Sequence, residues 1–210
     1  MVRSLMSVSI LALLLISVAC TTPQTPAVTA SPAKVADVKL AQRDLWLGHI
    51  LGIRNVAVAT MDKNAAARES AEKSVVANAQ QIAHSIEPFY GKAASDKLFT
   101  LLAGHYGAIR DDLDATVAGN AAGQEAAVKA LTANAAEIST FLSGANPYLP
   151  KDVVMGLLMA HAAHHIQQFQ QLKAGEYAQE SETWNGMKKH IYVVADALTG
   201  ALAQQFPAKF

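Results

Sequence analysis

His161 and His165 lie four residues apart in a segment whose apolar spacing is helical, so both imidazoles fall on one side of a helix, one turn apart. Two nitrogens so placed can share a metal ion, and imidazole suits Zn, Cu, Fe and Ni. Two more histidines fall on apolar stripes of other segments. His49 continues a stripe with Leu45, Gly52 and Val56. His105 shares a face with Leu98, Leu101, Leu102, Ile109 and Asp112. The stripe of His161 and His165 also carries Val154, Leu157, Leu158 and Leu172. Three segments thus aim imidazoles at an interior, and the expected ligands are His49, His105, His161 and His165. Haem held by one or two of these rings is a variant of the same expectation. Asp112 and Glu137 are candidate oxygen ligands or partners for a ligand's second N–H. Arg54 is expected to support the site and to pair with Asp111, Asp112 or Asp114. The competing reading makes the histidines hydrogen-bonded core residues. His84, His164 and His190 are expected near the surface. Trp46 and Trp184 are read as structural aromatics, and Met155 and Met159 as core filling.

Helices must carry these side chains, because strand alternation is absent and a period near 3.6 dominates. Segments are expected at about 37 to 62, 64 to 85, 95 to 120, 121 to 143, 150 to 173 and 176 to 204. Asn64 and Ser95 are candidate N-caps. Gly144 and Gly175 are candidate ends, and Glu87-Pro88-Phe89-Tyr90-Gly91 reads as a turn. Helices joined by such short links pack as an antiparallel bundle of five to six helices, an all-α fold. Frequent alanines let them approach closely. The near-zero net charge gives no reason to expect a nucleic-acid partner. No nucleotide-binding glycine motif, serine-nucleophile motif or H-E-x-x-H zinc motif occurs, so an enzyme is not the favoured expectation.

The first residues have a different character. Arg3 is the only charge before an apolar run of about nine residues, Val8 to Ile16. That is too short to span a bilayer, which takes ~20 residues, and fits the centre of a signal peptide. Ser17, Val18 and Ala19 lead into Cys20, the only cysteine. This stretch resembles the lipobox of bacterial lipoproteins. The resemblance implies cleavage before Cys20, acylation of that residue, and anchoring in the lipid bilayer. Thr21, where an Asp would favour inner-membrane retention, implies the outer membrane, facing the periplasm. The expected division is therefore residues 1-19 as signal peptide, 20-36 as lipidated cysteine with a Pro- and Thr-rich disordered tether, and 37-210 as the helical domain.

The domain itself resembles a group of small, uncharacterised, all-helical bacterial proteins. The resemblance rests on Leu45-Trp46 with His49 and Arg54, on Glu87-Pro88-Phe89-Tyr90-Gly91, on Asn146-Pro147-Tyr148, and on Gln205-Phe206-Pro207 with Phe210. It implies no activity. It matches His49, His105 and His161 but not clearly His165, which weights the expected site toward one histidine from each of three helices. Two functions follow as expectations: a membrane-anchored envelope protein that binds a transition metal or haem, or an envelope interaction protein with structural histidines and a protein partner.

Overall fold

The computed structural model describes residues 28–210; Cys20, the expected signal peptide and the first part of the expected tether lie outside them. The described chain is an all-α bundle of six long helices: α1 (Pro32–Met61), α2 (Ala65–His84), α4 (Lys92–Ala118), α5 (Ala121–Ala145), α6 (Lys151–Ala174) and α7 (Tyr177–Gln205). A single turn, α3 (Glu87–Tyr90), links α2 to α4, and a 3₁₀ turn, Pro207–Lys209, follows α7.

Local chemistry sets the boundaries. Asn64 caps α2 as expected, its side chain accepting from the Ala67 N–H at 3.0 Å. Asn120 does the same for α5 through Gly123 at 3.0 Å. Gly175 ends α6 in the left-handed region, φ 74°, where a side chain would be strained. Three expectations need correction. Helix α1 begins at Pro32, five residues inside the expected tether, because proline is preorganised for a first helical position. Ser95 does not cap α4, which starts at Lys92 directly after Gly91 (φ 82°), and Ser95 is buried inside the helix. Gly144 does not end α5, which continues to Ala145 with Asn146 at its C-cap.

The long helices close a ring in which each packs on its neighbours in the order α1, α2, α4, α5, α6, α7 and back to α1. Short links make neighbours antiparallel, so α1, α4 and α6 run the same way. These three also meet across the middle of the ring. They are the helices that carry the four interior histidines, and their shared direction keeps His49, His105 and His161 in step.

Close approach of α1 and α2 depends on Gly52, where a Cβ would lie 2.9 Å from Val75 Cγ2. Val75 is fully buried and has nowhere to retreat. Gly52→Ala is therefore expected to destabilise the fold by about 1–3 kcal/mol through overpacking, read as a lower urea midpoint at unchanged slope.

Candidate metal centre

Each of the interior histidines sits on the apolar stripe that buries its helix. His49, His105, His161 and His165 are all 3 % exposed or less. His49 from α1 and the pair from α6 form the tightest group: each offers one ring nitrogen, and these nitrogens lie within 4.8 Å of one another. Ring centroids are 4.6 Å apart for His161 and His165, 5.4 Å for His49 and His161, and 6.3 Å for His49 and His165. An ion bound tetrahedrally at normal Zn–N distances sets imidazole centroids about 5 Å apart. Three buried histidines are thus close enough to hold a metal ion.

The hydrogen-bond balance of these rings is unusual. A neutral imidazole has one donor and one acceptor. Both nitrogens of His161, both of His165, and Nδ1 of His49 are buried without a partner. Leaving a buried polar group unsatisfied costs about 1–3 kcal/mol. Among the described residues no backbone carbonyl or side chain takes these N–H groups.

His105 differs. It stacks on His161 at 5.7 Å with the planes 23° apart. Asn134 donates through Nδ2 to the Leu101 carbonyl (3.0 Å), which turns its Oδ1 toward His105 Nδ1 at 3.2 Å. His105 therefore carries its proton on Nδ1 and presents a bare, buried and unpartnered Nε2. That arrangement is the support a ligating histidine usually has. His105 nevertheless stands beside the trio, not within it.

Burial keeps all four rings uncharged. Desolvation, then the neighbouring His105 imidazole, pushes His49 down to about 3. Desolvation lowers His105 to about 4, partly opposed by its bond to Asn134. His161 and His165 are held well below the ordinary range by burial and then by neighbouring imidazoles. Neutral imidazole is the form that binds metal.

The other expected site residues fall elsewhere. Glu137 is exposed on α5 and outside the site, because its helix turns that position to solvent. Asp112 lies two turns along α4 from His105, outside the trio. It is fully buried, both carboxylate oxygens lack partners, and desolvation raises it to about 6. Its neighbours Asp111 and Asp114 are exposed. Arg54 pairs with none of the three. Its guanidinium makes a bidentate bond to Glu180 on α7, at 2.8 and 2.9 Å. Asp114 is held instead by Arg68 and Asp111 by Arg110.

Glu180 is 2 % exposed and also accepts from Gln168 Nε2 at 3.1 Å. Gln168 is three residues beyond His165 on α6, so the Arg54–Glu180–Gln168 network adjoins the histidines along that helix. Neither Gln168 nor Glu180 was expected at the site; only the spacing of Gln168 from His161 and His165 hinted at it. Removing Arg54 leaves Glu180 buried without its cation. Arg54→Ala is expected to cost about 2–3 kcal/mol, discounted because Arg54 is 32 % exposed, and urea unfolding checks it.

His84 is exposed and meets Glu87 at 2.9 Å, as expected of a surface group. His164 and His190 are not simple surface residues: they are half-buried and stacked at 5.4 Å between α6 and α7. Each bonds a backbone carbonyl, of Ala160 and Leu157 respectively. Met155 and Met159 fill a separate core cluster. Comparison of the chain with protein-family models, with curated proteins and with solved structures finds no match, so the site is read from its own chemistry.

Proposed function

We propose that this protein is a metal-binding bundle that holds one transition-metal ion through His49, His161 and His165. The observation that carries this reading is the cluster of three buried imidazoles whose nitrogens lie within 4.8 Å of one another, five of their six nitrogens without a partner. Three nitrogens leave a fourth position on a tetrahedral ion for water, another small ligand, or the bare Nε2 of His105. The all-imidazole donor set favours Zn, Cu or Fe over Mg or Ca, which take oxygen ligands. An ion suits the geometry better than haem. The rings of Trp46, His105 and Phe169 pack against His49, His161 and His165 at 5.9, 5.7 and 6.0 Å, occupying directions in which a macrocycle would spread.

The sequence supports a location for this activity. The lipobox-like Ser17 to Cys20 would tether the bundle to the cell envelope, on the periplasmic side of the outer membrane. Labelling cells with a clickable fatty acid should mark the protein, and Cys20→Ser should remove the label.

The metal reading is tested by elemental analysis of the purified protein and by reconstitution with Co(II). The expected result is one equivalent of metal per chain and visible bands of tetrahedral cobalt, both lost in His161→Leu and His165→Leu. An uncharged core with no metal uptake from Zn, Cu, Fe or Co would instead support the interaction-protein reading, with histidines retained for packing alone.

A further inference from the structure

Beside the histidines lies a cavity of about 60 Å³ along the bundle axis. Its lining includes residues one turn before three of the interior histidines: Trp46 precedes His49, Leu102 precedes His105, and Leu158 precedes His161. Val194, Leu198 and Phe141 close its other sides. The polar side chains at its edge are already engaged. Gln42 donates to Ser85 at 2.9 Å, Ser85 donates to the Ile82 carbonyl at 2.6 Å, and Tyr90 donates to Gln205 at 2.6 Å. Trp46 Nε1 is the only unpartnered buried polar side-chain atom on the lining among the described residues.

A buried water needs two to four polar partners, and one indole N–H does not supply them. The cavity is large enough for several waters by volume yet too apolar to keep them, so it is dry. The lining atoms then lack dispersion contacts on one side, which an apolar guest restores. Apolar cavities of this kind take up xenon or, when somewhat larger, benzene.

We propose that this cavity is a binding site for a small uncharged apolar molecule of dioxygen or xenon size, held one helix turn from the three-histidine centre. The Trp46 ring is common to both sites, lining the cavity and meeting His49 edge-on at 5.9 Å. A guest there would sit among apolar side chains, one helix turn from the histidines. The cavity needs no metal to exist; only its use as a store for a metal-bound ligand rests on the function proposed above.

Xenon titration of the full-length protein, followed by ¹²⁹Xe NMR and by methyl shifts, tests this. Saturable shifts are expected at Leu102, Leu158 and Val194 and not at Val75, which faces α1 elsewhere in the core. They should occur equally in metal-free and zinc-loaded protein. Leu158→Phe should fill the space and abolish them, and Leu198→Met offers a second filling variant if the first does not fold. Absence of saturable methyl shifts in the wild type, or shifts undiminished in a folded filling variant, would overturn the proposal. Xenon binding without metal uptake would leave the cavity intact and remove the metal centre; metal uptake without xenon binding would do the reverse.

Discussion

Zinc or copper added to metal-free protein at about a thousandfold excess over Kd should raise the unfolding midpoint by roughly 8–16 °C. Binding to the native state alone at that excess contributes about 4 kcal/mol, and 1 kcal/mol moves a domain of this size by about 2–4 °C. The variant arm separates a ligand set from a structural core. In metal-free protein, His161→Leu replaces two unpartnered buried nitrogens by apolar volume of similar size. Removing unsatisfied polar groups is nearly neutral or stabilising, so the variant should melt at or above the wild-type temperature. It should also show no shift on adding metal. A histidine that served the fold through its own hydrogen bonds would behave oppositely, with a large loss of stability on substitution and no metal response in either protein. Differential scanning fluorimetry with chelator-treated samples reads both arms, and a wild type indifferent to all four of Zn, Cu, Fe and Co would sink the metal centre.

The fold was legible because its signals are local. The period of apolar residues, Asn64 and Gly175 placed the helices to within a few residues, and the stripes put His49, His105, His161 and His165 inside before any coordinates. What stayed hidden was azimuth and partnership between helices. Glu137 and Asp112 look alike as carboxylates within helical segments, yet one faces solvent and the other is fully buried. The pairing of Arg54 with Glu180 spans 126 residues, and no spacing rule reaches that far. The sequence reading weighted the site away from His165, whereas the geometry brings it within 4.6 Å of His161 between ring centroids. Intrahelical spacing of four residues was the sounder guide, since it follows from helix geometry alone. The role of His105 needed the side chain of Asn134, which only the packing of α4 on α5 reveals.

Metal-free protein should unfold steeply between about pH 6 and pH 4. The unfolded chain's histidines titrate near 6.5, while the folded rings of His49 and His105 sit at about 3 and about 4. His161 and His165 are also far below the ordinary value, because burial disfavours the imidazolium. The folded state therefore binds fewer protons than the unfolded state throughout that window. Stability rises with pH wherever the unfolded chain binds more protons, and so falls as the solution is acidified. Asp112 works against this. Its folded value is about 6 against an unfolded 3.8, so between those values the folded state holds one proton that the unfolded state has released. Its own contribution is fully present below 3.8 and is lost as pH rises through 6. The four interior histidines less one aspartate leave a difference of about three protons, or about 4 kcal/mol per pH unit at full effect, and His190, lowered by its partial burial, adds in the same direction. Ordinary stabilities of about 5–15 kcal/mol are consumed by such a slope in roughly one to four units. Helical circular dichroism against pH should show one sharp transition, and proton uptake on unfolding at pH 5 should be at least about three. Asp112→Asn should stabilise the protein at pH 7 by up to about 3 kcal/mol, by removing a buried charge, and should steepen the acid limb by about one proton. Bound metal should carry the transition to lower pH, because protons must then compete with the ion for the same nitrogens. A flat profile down to pH 4 in metal-free protein would mean that these imidazoles are solvated or paired, and would undo the interior histidine cluster itself.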